Sequence, residues 1–304
     1  MIVALSGGIG GAKLALGLAR ALPLEQLVVV ANVGDDFEHL GLAISPDIDT
    51  LTYTLAGLDN SELGWGRRDE TWSFMETLAA LGGETWFRLG DRDLALHVER
   101  TRRLRAGETL SAVTEDFARR LGVGPRILPA TDDPVRTRLR TERGWMDFQP
   151  WFVGLRAEPP VTALAFAGAE QARPLPAVLD TVARAEAVVI CPSNPFISIE
   201  PMLALPGLRA ALAAARAPVI AVSPIIGGRA VKGPTARMMA ALGMDVSARA
   251  VAERYGDLLD LFVADEEDAG TLDGLACRVV LAPTLMRSLG DKIALARVVL
   301  NAAR

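Results

Sequence analysis

The chain has 304 residues, of which 50% are hydrophobic and 23% charged, with a net charge of −5 and a pI of about 5.3. This is globular composition with apolar material for a large core, which excludes disordered and fibrous classes. The acidic balance leaves no basic face to track a nucleic-acid backbone or an anionic membrane, while local positive pockets for small phosphates stay open.

The two cysteines, Cys191 and Cys277, are too few and too far apart for a disulfide framework or a four-ligand metal site. They read as inert thiols of a reduced cytoplasm. The N-terminal stretch resembles a signal peptide in its apolarity, but it lacks a basic start and carries Lys13 and Arg20 inside the apolar run. It reads as strand, loop and helix. No run of about 18 uncharged apolar residues occurs, so the expectation is a soluble, cytoplasmic chain that neither spans a membrane nor binds nucleic acid.

Apolar runs that stop at Gly, Pro, Asn or Ser lie at Ile2 to Leu5, Leu27 to Ala31, Val161 to Phe166, Ala187 to Ile190 and Val219 to Val222. They are continuous rather than alternating, the pattern of strands buried on both faces of a parallel sheet. Helical patterns from Ala12 to Ala21, Val178 to Ala185 and Leu208 to Ala214 alternate with them, which predicts a doubly wound α/β fold. Val279 to Leu281 reads as a last strand before a helix from Lys292 to Leu300. The stretch from 50 to 148 differs, with several tryptophans, many arginines and no clear buried strand. It is expected to be a mainly helical insertion with helices at Glu70 to Leu81, Leu94 to Leu104 and Leu110 to Leu121, the last capped by Thr109 or Ser111. Residues 1–49 and 149–304 would then form the core.

After the first strand, Ser6 to Lys13 (SGGIGGAK) offers glycines whose backbone N–H groups can approach a phosphate at a helix N-terminus. It is not a Walker loop, because Ala12 stands before the lysine and Leu14 replaces the hydroxyl residue that would hold magnesium. Nor is it a dinucleotide fingerprint, since Lys13 fills the third glycine position, which argues against an NAD-dependent dehydrogenase. The second strand ends in Asn32-Val33-Gly34-Asp35-Asp36, where acceptors face a ribose or base in such sheets. Asp47 and Asp49 in Ser45-Pro46-Asp47-Ile48-Asp49 are separated by one residue, a spacing that points both carboxylates the same way on an extended segment. That arrangement suits magnesium or a shifted pKa, with a helix cap as the plainer alternative.

Pro192-Ser193-Asn194-Pro195 is a rigid polar turn at a strand end. Gly227, Gly228 and Lys232 form a second glycine loop with a lysine, and two such loops suggest a diphosphate or nucleotide. His39 and His97 have no metal-ligand spacing and read as structural. No Gly-x-Ser-x-Gly elbow occurs, which disfavours a serine hydrolase. Trp65, Trp72, Trp86, Trp145 and Trp151 are either core or the wall of a flat aromatic pocket.

Together GGIGGAKLA, NVGDD, SPDIDTLTYTLAG, TWFRLGDRDLALHVERTRRLRAGETLS, FQPWFV, PSNPFISIEP and AVSPIIGGRAVKGP resemble the 2-phospho-L-lactate transferase family, in colinear order from Met1 to about Asp268. The resemblance implies a Rossmann-like three-layer core with a largely helical subdomain on the deazaflavin side of the cleft. It implies transfer of a phospho-acid unit from a guanosine diphospho-ester to the ribityl hydroxyl of the deazaflavin Fo, releasing GMP with magnesium, in coenzyme F420 biosynthesis. It places deazaflavin binding on Asp49 and Arg88, and guanosine or diphosphate binding on Gly8, Gly10, Gly11, Asn32, Ser193, Asn194, Gly228 and Lys232. It also favours a homodimer.

Two roles are open for Asp49 with Asp47 beside it: holding magnesium or taking the hydroxyl proton. The donor's acid, phospholactyl, phosphoenolpyruvyl or phosphoglyceryl, is not legible in the motifs. The rival class is a UDP-sugar-binding regulator of a related cell-wall branch, which shares the glycine loops and the PSNP turn. The segment around Trp86 to His97 and the tryptophan-rich insertion favour the transferase.

Overall fold

The computed structural model describes residues 1–60 and 65–304. Short, fully buried runs rich in β-branched residues form the centre of a seven-stranded parallel sheet. In chain order its strands are β1 (Ile2–Ser6) and β2 (Leu27–Ala31). After the small antiparallel hairpin of β3 (Phe37–His39) and β4 (Leu42–Ile44) comes β5 (Arg126–Pro129) at the sheet edge. A separate antiparallel sheet contains β6 (Arg136–Thr141), β7 (Gly144–Asp147) and β8 (Ala163–Ala167). The parallel sheet resumes with β9 (Ala187–Ile190) and β10 (Val219–Val222). A two-residue hairpin, β11 (Ile225–Ile226) with β12 (Arg229–Ala230), precedes β13 (Leu261–Ala264) and β14 (Arg278–Leu281).

The strand order is β14-β13-β10-β9-β1-β2-β5, so the chain works outward from β1 in one direction and then returns to β9 on its other side. Connections leaving β1 and β9 diverge from this point, and the gap above their carboxyl ends is where open α/β sheets bind ligands. The fold is α/β with helices around the sheet. Helix α1 (Gly8–Ala21) follows β1 directly and packs against both α2 (Pro46–Ala56) and the C-terminal helix Leu289–Ala302. A Cβ at Gly17 would run into the Lys292 carbonyl, so the glycine permits that close approach. No helix among the described residues is long and apolar enough to cross a membrane.

Three helices follow in the expected insertion: α3 (Ser73–Ala80), α4 (Asp91–Arg105) and α5 (Leu110–Arg120). Thr109 caps α5 by accepting from the Ala112 N–H at 3.2 Å, whereas Ser111 turns away and donates its hydroxyl to Asp132. Two strand readings are corrected. The apolar run from Val161 to Phe166 is not a central parallel strand, since β8 pairs antiparallel with β6 and is only half-buried. A short apolar run does not by itself say whether one face or both are covered.

The stretch from 50 to 148 is not free of strands either. β5 pairs parallel with β2, and β6 pairs with β7 and β8. β5 has only Ile127, Leu128 and Pro129 buried, too brief a run to register. In β6 the arginines alternate with buried Thr137, Leu139 and Thr141, a period of two overshadowed by the charges.

Candidate active site

A cavity of about 590 Å³ opens above the carboxyl ends of β1 and β9. Its base is made where the loops after these two strands touch. The Gly7 N–H donates to Ser193 Oγ at 3.2 Å. A Cβ at Gly10 would strike the Pro192 carbonyl oxygen, and one at Gly11 would strike the hydroxyls of Ser6 and Ser193. The glycines therefore allow two loops to close on each other as well as exposing backbone amides. Gly8 adopts φ +65°, a region that favours glycine, and turns the chain into α1. First-turn amides of a helix lack intrahelical acceptors, so this end of α1 presents donors and a positive dipole end to the cavity. Gly8, Gly10, Ser193, Asn194 and Lys232 line the cavity, whereas Gly11 and Gly228 do not: Gly11 is buried and Gly228 is exposed at the surface.

Asp47 and Asp49 do not form a pair. They sit in the first turn of α2, not on an extended segment, and a two-residue step on a helix sends side chains to different sides. Asp47 reaches back to α1, accepting from the Gly8 N–H and from Asn32 Nδ2 at 2.9 Å. Burial raises the Asp47 pKa against those two hydrogen bonds, to about 6. Asn32, expected at the nucleotide, is wholly buried. Its amide also donates to the Ile197 carbonyl, and its Oδ1 accepts from the Gly34 N–H. Asn32 thus positions Asp47 from behind and does not line the cavity.

Asp49 faces the other way, into a buried two-pronged ion pair with Arg100 of α4, whose Nη1 lies 3.1 Å from Oδ2 and whose Nη2 meets Oδ1. Arg100 is 1% exposed. Burial acts to lower its pKa, and the Asp49 charge and hydrogen bond outweigh it and raise it. Arg100 Nη1 also lies 3.3 Å from His97 Nδ1. A guanidinium only donates, so Nδ1 is assigned as acceptor and Nε2–H faces Asp93, whose Oδ2 is 3.2 Å away. Tyr53 donates to the other Asp93 oxygen. Burial pushes the Asp93 pKa up, but His97, Tyr53 and Arg100 together hold it below the usual value.

The sequence reading treated His97 as structural, yet it lines the cavity with Asp49 and Asp93. The available signal was the spacing Asp93, His97, Arg100, which places all three on one face of α4. Asp49, Asp93 and His97 bring their ligand atoms within 4.8 Å of one another, a cluster able to hold a metal. Arg100 already supplies a cation to Asp49.

Asp35 belongs to the segment expected to present acceptors to a ribose or base. It is 6% exposed, lines the cavity, and its Oδ1 is buried without a hydrogen-bond partner. Burial raises its pKa well above the ordinary value, and the charges of Asp47, Asp36 and Asp49 add to the effect. Neighbouring Asp36 accepts from the Ser45 hydroxyl at 2.9 Å. Burial lifts it to about 7, despite the opposing charges of Arg136 and Arg100 and the Ser45 hydrogen bond.

Part of the lining is aromatic. Trp65, Trp86, Phe87, Phe148 and Phe152 border the cavity. Phe148 and Phe152 are stacked with centroids 5.2 Å apart, and the Trp86 and His39 rings meet edge to face at 5.0 Å. Arg88 also lines the cavity and lays its guanidinium 4.0 Å above the Trp72 ring. Of the tryptophans, Trp65 and Trp86 line the cavity and Trp151 is buried in the core, whereas Trp145 is exposed and fills neither expected role. Cys191 is buried and its thiol is pushed up to about 12 by burial, which makes it inert.

An α/β cleft lined by glycine loops at strand ends, buried carboxylates and aromatic side chains has the features of an enzyme active site. The chain belongs to the 2-phospho-L-lactate transferase (CofD) family, whose model it matches over residues 2–274. It is therefore a phosphotransferase of that type. It is 45% identical to proteins named phosphoenolpyruvate transferase from Streptomyces griseus and Streptomyces coelicolor, each over 99% of this chain and 98% of the relative. A protein of the same name from Thermobifida fusca is 46% identical over 89% of this chain and 88% of its own. Among solved structures, a member of the UPF0052 family from Bacillus halodurans superposes with a TM-score of 0.65 at 14% identity, covering 98% of both chains, a likeness of fold.

Proposed function

We propose that the protein transfers a phosphoenolpyruvyl unit from a guanosine diphospho-ester to the ribityl hydroxyl of the deazaflavin Fo, releasing GMP, in coenzyme F420 biosynthesis. The observation that carries this reading is the cavity's lining, which brings glycine loops at strand ends, buried carboxylates and a group of aromatic side chains to one space. The relatives named phosphoenolpyruvate transferase favour the enolpyruvyl acid over the lactyl and glyceryl ones. In this reading the hydroxyl oxygen attacks the phosphorus that bears the acid. The bond from that phosphorus to the bridging oxygen breaks, GMP leaves with the electron pair, and the hydroxyl proton passes to a carboxylate of the cavity. The enzyme works in the cytoplasm as a homodimer, on family resemblance.

Magnesium fits the floor at Asp35. The orphaned Oδ1, the raised pKa and three neighbouring carboxylates describe a site whose anionic form needs a cation. Asp35 and Asp47 would hold the ion, which would neutralise charge on the diphosphate. Asp49 is the weaker ligand of those expected, because Arg100 occupies it. Gly8 and Gly10 admit the diphosphate to the backbone amides, and Ser193, Asn194 and Lys232 border the nucleotide side. Arg88 and the aromatic wall hold the flat ring of the acceptor.

Holding the acceptor's hydroxyl in line with the phosphorus is the main contribution expected of such a site. Incubating the enzyme with Fo, magnesium and each guanylylated donor, then weighing the products, tests the proposal. Product from the enolpyruvyl donor supports it. Product from another donor alone changes the acid, and tight UDP-sugar binding without any product overturns the transferase.

A further inference from the structure

Of the 32 Lys and Arg residues only three are lysines: Lys13, Lys232 and Lys292. They come from distant parts of the chain, α1, the loop after β12 and the C-terminal helix, yet they converge. Lys13 and Lys232 line the cavity, and Lys292 belongs to the helix that Gly17 lets pack tightly on α1. Lys13 is half-buried and donates to the Met286 carbonyl at 3.1 Å, which ties its ammonium to the wall formed by Thr284 and Met286. Burial first, then the charges of Lys292 and Lys232, lower its pKa, with Asp59 acting weakly the other way. Buried Arg100 and half-buried Arg254 each meet a carboxylate, Asp49 and Glu200 respectively. Lys13 instead has a carbonyl as its hydrogen-bond partner and like charges for neighbours, an arrangement that an anion would relieve.

We propose that Lys13, with Lys232 and Lys292 around it, anchors the carboxylate of the phospho-acid carried by the donor. The inference rests on the transferase reading and deepens it. Each donor considered above combines a diphosphate with one further negative group, the carboxylate. The diphosphate is served by the glycine-loop amides and by the floor cation. The carboxylate needs its own partner, and besides Lys232 the arginine and lysine side chains lining the cavity are Lys13 and Arg88. Arg88 is turned onto Trp72 at the aromatic wall, which leaves Lys13.

The test compares GDP, which lacks the acid, with the guanylylated enolpyruvyl donor in calorimetry on wild type, Lys13→Met and Lys13→Arg. Loss of a charge-assisted hydrogen bond corresponds to roughly 10- to 100-fold in affinity. Lys13→Met should weaken the donor by that amount and leave GDP within about twofold, while Lys13→Arg recovers part of the loss. In wild type, amine acylation followed by peptide mass analysis should find Lys13 shielded by the donor and not by GDP. Equal weakening of GDP and donor, or equal shielding by both, places Lys13 on the diphosphate and overturns the proposal. Failure of the transferase reading looks different: wild type then makes no product with any guanylylated donor, and the anchor falls with it.

Discussion

Arg100 and Asp49, on different helices, form a buried two-pronged ion pair at the edge of the cavity, and His97 leans on the same guanidinium. The pair joins α4 to the first turn of α2 and fixes which way that turn presents its carboxylates. Breaking one half of a buried pair leaves an uncompensated charge, which costs about 3–5 kcal/mol. Arg100→Met should therefore lower the denaturant midpoint sharply, and Asp49→Asn should reduce stability as well as turnover. A wild-type melting temperature in either variant would contradict the pairing. The double variant should recover part of the lost stability.

Magnesium should act through Asp35. Chelation is expected to stop transfer, and Asp35→Asn should raise the magnesium concentration needed for half-maximal rate at least tenfold, since a carboxylate ligand is lost. Titrating magnesium against rate for both proteins makes the comparison. An unchanged magnesium requirement in Asp35→Asn would move the ion to the cluster of Asp49, Asp93 and His97.

The raised carboxyl groups make the ligand-free protein sensitive to pH. Asp36 titrates at about 7 and Asp47 at about 6, against an ordinary value of 3.8 in the unfolded chain. Between these limits the folded state binds more protons than the unfolded state, so stability falls as pH rises from about 4 towards 7 and this contribution then levels off. Melting temperatures across that range should show the decline, and Asp36→Asn should flatten it. A profile that instead rises with pH in wild type and is unaltered in the variant would show that Asp36 is not held protonated.

Arg88→Ala should weaken Fo binding about tenfold, the size of a partly desolvated cation–π contact, with little effect on GDP. Arg88 lines the cavity with its guanidinium over the Trp72 ring, among the aromatic side chains of the lining. Fluorescence titration with Fo and calorimetry with GDP separate the two. Loss of GDP affinity with Fo binding intact would mean the two sides of the cleft are exchanged.

The parallel sheet was legible in the sequence, because runs such as Leu27 to Ala31 and Ala187 to Ile190 are apolar at every position and alternate with helical patterns, the rhythm of a doubly wound fold. The glycine loops and their place at strand ends were legible too, since a glycine cluster after such a run has few other uses. Local patterning could not reveal β5, whose membership in the sheet depends on its pairing with β2 far away in sequence. Nor could it say which carboxylates cooperate. Asp47 and Asp49 are two residues apart, and tertiary structure sends one to Gly8 and Asn32 and the other to Arg100. Burial and partner charge decide what a carboxylate does, and both are set by residues far away in the chain. The same holds for the three lysines, whose rarity is visible in the sequence and whose nearness to one another, Lys292 to Lys13 through the packing of α1 against the last helix, comes only from the tertiary structure.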